Sequence, residues 1–323
     1  MKILVAGGAG YIGSALVPNL VDRGYQIHVV DLLWFGNHLP SDVVVKKGDL
    51  FDLRMEDLKG FDQVIFLAGL SNDPMAEFSP SLNFVYNAAS PAYLAYIAKM
   101  AGVRRFIYAG SCSVYGYTVN ELYDEDSPAI SKHPYGISKL QGEKAVMQME
   151  EKGFSVICFR QGTVSGYSPR MRLDLIVNTM FKSAMQRGEI VINNPSIWRP
   201  ILSIEDACNA YVRAIEASQE ISGIFNIASG NYTVGEVGDI VRNGIEGKLG
   251  FKVSLKIKHI QDYRNYKVSC EKARDILSIK PRHDVDSIVD NLAANRSMFA
   301  DHENTVYYNI RVLESLSLPK VKQ

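Results

Sequence analysis

The sequence lacks an excess of charge of either sign. Its 323 residues include 35 Lys plus Arg and 35 Asp plus Glu, so the formal net charge at pH 7 is zero. Proteins that bind nucleic acids or anionic membrane surfaces attract these polyanions with an excess of basic residues. The balance of charge therefore disfavours nucleic acids and membranes as partners.

Cysteine and long apolar segments are also scarce. The four cysteines lie far apart, and none belongs to a CxxC or Cys/His cluster, so the sequence predicts no metal site. They are Cys112, Cys158, Cys208 and Cys270. The longest apolar run, residues 64–70, is much shorter than the about 18 residues that a membrane span needs. We expect a protein of the reduced cytoplasm that does not span a membrane.

Short, β-rich apolar stretches alternate with segments of helix length along the first half of the chain. The predicted strands are residues 3–6, 26–30, 43–46, 63–68, 105–109 and 155–159. Nearly continuous apolar strands separated by helices indicate a parallel sheet that is covered on both faces. The sequence therefore predicts an α/β fold, a doubly wound parallel sheet of the Rossmann type with a smaller mixed C-terminal cap.

After Gly166 the alternation of predicted strands and helices becomes less regular, and this change sets the predicted domain boundaries. We expect residues 1–166 to form the dinucleotide-binding domain, with residues 203–229 returning to it. Residues 167–202 and 230–323 are expected to form the cap that binds the substrate. The cap should cover the carboxyl ends of the strands, where open α/β sheets bind ligands.

A glycine-rich segment, GGAGYIG at residues 7–13, follows the first predicted strand and begins a helix. One glycine permits a tight turn, one lets a pyrophosphate approach the backbone, and one lets the helix close on the sheet. Asp31 ends the second strand, at the spacing where a carboxylate meets the adenosine ribose. Because no Arg follows Asp31 and a carboxylate repels a 2′-phosphate, NAD is predicted rather than NADP. An ordinary glycine-rich turn beside a surface Asp is the alternative.

A phenol and an ammonium group stand four residues apart in Tyr135-Gly136-Ile137-Ser138-Lys139, on one face of a predicted helix. The phenol needs a nearby cation to act as a base at neutral pH, and Lys139 can supply that charge and reach a cofactor ribose. Ser111 follows the strand at 105–109, at the same edge of the sheet, where it can bind the substrate oxygen. Together these residues predict oxidation of an alcohol, with hydride transferred to a nicotinamide.

These motifs together resemble the extended short-chain dehydrogenase/reductase family, especially its NAD-dependent nucleotide-sugar epimerases and dehydratases. The matching segments are GGAGYIG at 7–13, Gly48-Asp49-Leu50, Leu67-Ala68-Gly69, Asn87, SCSVYG at 111–116 and YGISK at 135–139. The resemblance implies a catalytic trio of Ser111, Tyr135 and Lys139. It also implies an NAD site that comprises Gly7, Gly10, Tyr11, Ile12, Gly13, Asp31, Asp49, Leu50, Ala68, Gly69, Asn87, Tyr135 and Lys139.

The second half of the chain resembles the family more weakly. Arg199 in WRPILSIED and Arg264 in DYRNY match arginines that contact the diphosphate of the sugar nucleotide, and Asn178 matches an Asn near that diphosphate. Ser71 and Ser113 are further expected substrate contacts. The basic residues of SPRMR, at 168–172, are unusual for the family and are also candidates to face the substrate.

The residues after Ser111 narrow the reaction. The 4,6-dehydratases have Asp-Glu there, the decarboxylases have Glu in place of Ser113, and the 3,5-epimerases have Cys in place of Ser113, whereas this chain has Cys112-Ser113. Without a carboxylate pair, elimination of water lacks its acid and base. Cys112 is expected to be a buried, neutral thiol. Alcohol and ketone chemistry at C4 of a nucleotide-linked sugar remains.

Three functions stay open at this point. The first is a 4-epimerase that passes through a 4-keto sugar and leaves NAD unchanged. The second is a 4-dehydrogenase or 4-ketoreductase with net redox on a modified sugar, which the unusual Asn72-Asp73-Pro74 and SPRMR segments make plausible. The third is a catalytically silent NAD-binding regulator, which the complete trio disfavours. Relatives often dimerise through two long helices, here 79–102 and 134–150, so a homodimer with a four-helix contact is expected.

Overall fold

A computed structural model gives the fold of residues 1–259 and 265–316, with only the backbone for residues 117–120. The described strands are, in chain order, β1 (Lys2–Ala6), β2 (Gln26–Asp31), β3 (Val44–Lys47), β4 (Gln63–Phe66), β5 (Arg105–Ser111), β6 (Tyr117–Tyr123), β7 (Ser155–Gln161), β8 (Thr163–Ser165), β9 (Glu189–Asn193), β10 (Trp198–Ser203), β11 (Gly223–Ile227), β12 (Gly230–Thr233), β13 (Ser254–Lys258) and β14 (Asn265–Val268). The described α-helices are α1 (Tyr11–Asp22), α2 (Asp73–Phe78), α3 (Pro80–Phe84), α4 (Ser90–Met100), α5 (Pro134–Met147), α6 (Ile176–Arg187), α7 (Ile204–Glu216), α8 (Val234–Leu249), α9 (Glu271–Leu277), α10 (Val285–Ala294) and α11 (Asn309–Ser315).

The main sheet has seven strands in the order β11-β7-β5-β4-β1-β2-β3. Every neighbouring pair is parallel, and the six strands predicted from the sequence all belong to this sheet. The chain runs outward from β1 first toward β3 and then toward β11, so the winding reverses between β1 and β4. Open α/β sheets bind ligands at such a reversal. The predicted doubly wound α/β fold is confirmed.

Helices cover both faces of this sheet. On one face, apolar residues of α1 and α7, such as Leu16 and Tyr211, form a buried cluster with Val5 and Ile107 of the strands. On the other face, α4 and α5 pack over residues such as Phe66. Because α7 packs on α1 and β5, and β11 pairs with β7, residues 204–227 contribute to this layer. The division of the chain into two domains stays a prediction.

The helix predicted at 79–102 consists of α3, a π-helical turn (Val85–Ala89) and α4 in direct succession. The π turn changes the hydrogen-bond pattern at Asn87, whose carbonyl oxygen accepts a bond of 3.1 Å from the Tyr108 hydroxyl. Single π turns within α-helices often occur at functional sites, because they redirect one side chain. Here the turn places the Asn87 side chain beside the loop that follows β4.

Three smaller sheets lie outside the main sheet, and one of them joins the second half of the chain to the first through β6 and β14. β8, β10 and β12 form a mixed three-stranded sheet, β9 pairs with β13, and β6 pairs with β14. Most of these strands were not predicted, because they are short and few of them alternate regularly between buried and exposed residues. A separate apolar cluster of α6, α8 and α10 forms the core of the cap. Within residues 1–259 and 265–316, no helix is long and apolar enough to cross a membrane.

Candidate active site

A cavity of about 620 Å³ lies at the carboxyl ends of the central strands. Its wall includes Gly7, Gly10, Tyr11, Ile12 and Gly13 of the glycine segment. The same cavity is lined by Ser111, Tyr135 and residues of the cap. Residues predicted to bind a dinucleotide and residues predicted to act on an alcohol therefore line one cavity.

The glycine segment forms a tight turn between β1 and α1. Gly7 has a φ of +77°, and a β-carbon there would lie 2.5 Å from the backbone nitrogen of Ala68. A β-carbon at Gly13 would lie 2.2 Å from the carbonyl oxygen of Gly8, so only glycine lets α1 start so close to the turn. Gly10, at the N-cap of α1, has a backbone that faces the cavity. This shape fits a pyrophosphate at the helix N-terminus.

Asp31, at the end of β2, is hydrogen-bonded to the glycine segment. Its carboxylate accepts hydrogen bonds from the backbone nitrogens of Ala9 at 3.0 Å and Leu33 at 2.8 Å. Burial raises the pKa of this carboxyl group, and the two bonds oppose that rise. The carboxylate is thus fixed beside the first turn of α1, as a ribose-binding acid requires.

The other predicted NAD contacts lie on the turns that follow β3 and β4. Asp49 caps a short 3₁₀ turn and accepts a hydrogen bond of 3.0 Å from the Tyr86 hydroxyl, and Leu50 is buried beneath it. Ala68 touches Gly7 across the sheet, and Gly69 has a φ of +128°. These turns are adjacent to the glycine segment, at the same edge of the sheet.

Asn87 is fixed by its amide nitrogen, which donates to Leu70 at 2.9 Å, to Asn83 at 2.8 Å and to Ser138 at 3.2 Å. Its amide oxygen is buried and accepts no hydrogen bond within the described part of the chain. A β-carbon at Gly69 would lie 2.2 Å from this oxygen. A buried acceptor without a donor indicates that a bound group completes the site, so the residues present fit a dinucleotide.

Tyr135 lines the cavity, close to Ser111 and Ser113. The Ser111 hydroxyl donates to the Ser113 hydroxyl at 3.1 Å, and its proximity to Tyr135 favours the phenolate. Burial nevertheless raises the pKa of Tyr135 to about 12. Desolvation of the phenol thus outweighs the nearby polar groups, and the role of Lys139 as the cation beside the phenolate stays a prediction.

Lys139 lies one helical turn after Tyr135, and its Nζ donates to the carbonyl oxygen of Ala109 at 3.0 Å. The side chain is 5% exposed, and burial lowers its pKa to about 8. No carboxylate of the described residues lies within 4 Å of this ammonium group. Its charge thus lies behind Gly69, a residue of the cavity wall, and is bonded to a neutral carbonyl.

The cap contributes a buried ion pair that the sequence analysis did not specify. The Arg172 guanidinium forms two bonds with Asp174, at 2.8 and 3.0 Å, and donates to the Ser71 hydroxyl at 3.0 Å. Asn309 of α11 also donates to Ser71, at 2.7 Å. The charge of Arg172 is close enough to favour the Tyr135 phenolate. Ser71, a predicted substrate contact, is therefore already hydrogen-bonded to two residues of the second half of the chain.

Asn178 lies behind the cavity wall. Its amide oxygen accepts from the Gly166 nitrogen at 3.0 Å, and its amide nitrogen donates to the Arg172 carbonyl at 2.8 Å and the Tyr11 hydroxyl at 3.2 Å. It is not among the described residues that line the cavity. Its amide thus holds three parts of the wall together, and a direct contact with substrate stays an untested prediction.

Arg199 lies in the cavity wall, donates to the Trp198 carbonyl at 2.9 Å and stands 5.9 Å from the ring centre of Tyr266. Arg264 lies outside the described residues. Tyr266 was not predicted, although it is buried, lines the cavity and lies beside Ser113. It stands two positions after Arg264, so the DYRNY motif was the signal that could have identified it.

Cys112 is turned away from the cavity. It is buried, and its thiol donates to the Arg160 carbonyl oxygen at 3.1 Å. Burial raises the pKa of this thiol well above its usual value. The prediction of a buried, neutral Cys112 is confirmed.

Comparisons with known proteins agree with this geometry. A sequence model of the NAD dependent epimerase/dehydratase family matches residues 3–228. A UDP-glucose 4-epimerase of Halalkalibacterium halodurans is 28% identical over 309 residues, which cover 88% of this chain and 91% of that protein.

Two solved structures share the fold. MoeE5, in complex with UDP-glucuronic acid and NAD, has a TM-score of 0.80 at 24% identity and covers 92% of this chain and 100% of its own. TunA, an NAD-dependent NDP-hexosamine 5,6-dehydratase of tunicamycin biosynthesis, has a TM-score of 0.79 at 22% identity, with 92% and 98% covered. Because proteins of different activity share it, the fold alone does not select the reaction.

Proposed function

We propose that this chain, which belongs to the NAD-dependent epimerase/dehydratase family, inverts the configuration at C4 of a nucleotide-linked sugar through a 4-keto sugar. The observation that carries the proposal is that the glycine segment and the Ser111–Tyr135 pair line one cavity. A sugar hydroxyl bound in this cavity is close to both an acid/base group and the cofactor site. Relatives along most of the chain that are UDP-glucose 4-epimerases support C4 as the carbon that reacts.

Tyr135 and Ser111 handle the proton in this proposal. The Tyr135 phenolate accepts the proton of the C4 hydroxyl, while Ser111 binds the same oxygen. When bound, NAD supplies the acceptor for the hydride that leaves C4 and returns it to the other face. Tyr135 then gives the proton back to the C4 oxygen, so neither a proton nor a reducing equivalent is consumed.

Lys139 is assigned to the cofactor ribose and to the charge balance of the Tyr135 phenolate. Its Nζ is already positioned near Gly69 and Ala109, at the edge where β4 and β5 end. Asp31 is assigned to the adenosine ribose, and the glycine segment is assigned to the pyrophosphate. Arg199 is assigned to the substrate diphosphate, since its guanidinium lies in the wall of the cavity.

Elimination chemistry has no support in the residues after Ser111. Cys112 is a neutral thiol that bonds to the backbone, and Ser113 presents a hydroxyl to the cavity. A dehydratase needs an acid and a base at the leaving hydroxyl and at the adjacent carbon. The side chains at these two positions supply neither, so the oxidised sugar is expected to be reduced again.

The test is an assay of the purified protein against UDP-, GDP-, CDP- and dTDP-linked hexoses, with the C4 configuration followed by proton NMR. Inversion at C4 of one of these sugars, lost in Tyr135→Phe, is the expected result. Ser127→Ala, at a half-buried loop position away from the cavity, serves as the matched control for loss of a hydroxyl group. Absence of C4 inversion in every nucleotide sugar would contradict the proposal.

A 4-dehydrogenase or 4-ketoreductase is the second candidate. It is favoured by the charged and polar wall near Tyr135, where the Arg172–Asp174 pair meets Asn72 at 3.2 Å. Such a wall suits a sugar with an added polar group. Stoichiometric release of reduced cofactor with a 4-keto sugar, measured by mass spectrometry, would identify this activity in place of epimerisation.

We also propose a homodimer in which α4 and α5 form a four-helix contact with a second copy. On α4, Tyr96 and Met100 are 52% and 56% exposed, whereas Ile97 is buried against the sheet. Large exposed apolar side chains on one helix face suit an interface between copies. Sedimentation equilibrium should give twice the mass of one chain, and Tyr96→Lys should lower it to that of a monomer.

A further inference from the structure

The Arg170 guanidinium is buried in the wall of the cavity. The residue is 2% exposed, and the guanidinium carbon stands 3.8 Å from the ring centre of Phe35. One of its amino groups donates to Asn309 at 2.5 Å. Its Nε is buried and donates to no described residue, and no carboxylate of the described residues lies within 4 Å of it. Burial lowers the pKa of Arg170 to about 9, which reflects how poorly its charge is compensated.

The acids that lie nearest to Arg170 are already engaged. Asp31 accepts bonds from two backbone nitrogens, and Asp174 forms both of its short bonds with Arg172. Arg172 also adds a like charge that disfavours the charged form of Arg170. A buried cation in such surroundings is costly unless an anion completes it.

The segment that carries Arg170 is hydrogen-bonded to the glycine segment. The Tyr11 hydroxyl donates to the Gly166 carbonyl at 2.6 Å, and the Ser168 hydroxyl donates to the Tyr11 carbonyl at 2.7 Å. Tyr11 and Asp31 are also close enough to act on the charge of Arg170. The guanidinium therefore faces the part of the cavity next to the first turn of α1.

We propose that Arg170 binds the pyrophosphate of the dinucleotide from the side opposite the glycine segment. Residues 166–172 and Asn309 of α11 hold the Arg170 guanidinium in this position. The planar guanidinium offers its free Nε and an amino group to two phosphate oxygens. Its proximity to Tyr11 and Asp31 assigns it to the cofactor rather than to the diphosphate of the sugar nucleotide. The inference rests on the NAD site of the proposed function and is independent of the sugar chemistry.

The test measures ligand binding to nucleotide-free protein by isothermal titration calorimetry. NAD, NADP, ADP, UDP and adenosine are titrated into the wild type, Arg170→Met and Arg170→Lys, with Arg187→Met as a control at an exposed position of α6. Arg170→Met should weaken NAD and ADP by about 10- to 100-fold, because it removes charge-assisted bonds to phosphate. Adenosine should bind equally to all four proteins, and Arg170→Lys should show an intermediate loss for NAD and ADP.

Thermal unfolding separates this role from a structural one. Met retains the length of the side chain over Phe35 and removes the buried charge, so nucleotide-free Arg170→Met should unfold at the same temperature as the wild type or higher. Saturating NAD should raise the unfolding temperature of the variant less than that of the wild type. A residue with only a packing role would lower the unfolding temperature with and without NAD.

Four results would overturn the inference. They are unchanged affinity of Arg170→Met for NAD and ADP, an equal loss for adenosine, a loss confined to UDP, and a wild-type preference for NADP that the variant lacks. The third result would assign Arg170 to the substrate diphosphate, and the fourth would assign it to a 2′-phosphate. If the wild type binds NAD but Arg170→Met binds it equally well, the inference fails while the proposed function stands. Failure of the wild type to bind NAD at all would contradict the proposed function itself.

Discussion

Replacing Lys139 with Met should stabilise the nucleotide-free protein at neutral pH and impair catalysis. Lys139 is 5% exposed, bonds to the Ala109 carbonyl at 3.0 Å and stands 5.3 Å from the ring centre of Tyr108. No carboxylate of the described residues pairs with it. Burial lowers its pKa from 10.5 to about 8, so the folded protein holds this proton less tightly than the unfolded chain does.

The shift of the Lys139 pKa sets the size and the sign of the effect. A difference of 2.5 pKa units, from 10.5 to about 8, corresponds to about 3 kcal/mol of lost unfolding free energy when the group is protonated in both states. That cost is fully present below about pH 8. Between about pH 8 and pH 10.5 the folded protein has released the proton while the unfolded chain retains it, so the stability of the wild type rises with pH. From about pH 7 to pH 9.5 the wild type should gain about 2 kcal/mol relative to Lys139→Met.

Urea unfolding followed by circular dichroism, at both pH values, measures this difference. Lys139→Met should have the higher unfolding free energy at pH 7, and its advantage should shrink at pH 9.5. Lys144→Met, an exposed position on the same helix, is the matched control and should show no such change. The reasoning is refuted if Lys139→Met is less stable than the wild type at pH 7, or if its advantage does not change with pH. In the epimerase assay its kcat should fall by about 100-fold or more.

Two further substitutions test separate parts of the structure. Tyr135→Phe should lower kcat by about 10²- to 10⁴-fold with little change in the KM of the sugar nucleotide, because only proton transfer is lost. An unchanged kcat would exclude Tyr135 as the acid/base group. Glu143→Gln should lower the unfolding free energy by about 3–5 kcal/mol, because it removes the charge that pairs with the buried Arg160 and one acceptor of its two short bonds, at 2.7 and 2.8 Å. A loss of unfolding free energy below about 1 kcal/mol, measured by urea unfolding, would show that other groups compensate the charge of Arg160.

The central sheet could be predicted from the sequence because its signals are local. Each predicted strand is a short apolar run, and burial of both sheet faces makes such runs nearly continuous. The glycine segment is equally local, since Gly7 and Gly13 are required by contacts with the neighbouring turn. The smaller sheets lack this signal, because strands such as β12 are short and only partly buried.

Distant parts of the site could not be predicted in the same way. Asn309 reaches the cavity from α11, and no motif spacing relates it to Tyr135. Asn178 was assigned to substrate by resemblance, yet its amide is occupied by Tyr11, Gly166 and Arg172. These relations depend on how the cap packs on the sheet, which the sequence pattern leaves open.

The pKa of a site residue is also set by packing rather than by spacing. The four-residue separation of Tyr135 and Lys139 predicts a cation near the phenol, whereas burial raises the pKa of the phenol and lowers that of the ammonium group. Arg170 shows the same cost of a buried charge on the cap side of the cavity. Two poorly compensated buried cations, Lys139 behind Gly69 and Arg170 in the cavity wall, make the free protein less stable than its packing allows. We expect a ligand that brings negative charge to Arg170 to stabilise the folded state, so that cofactor binding and folding are coupled through this residue.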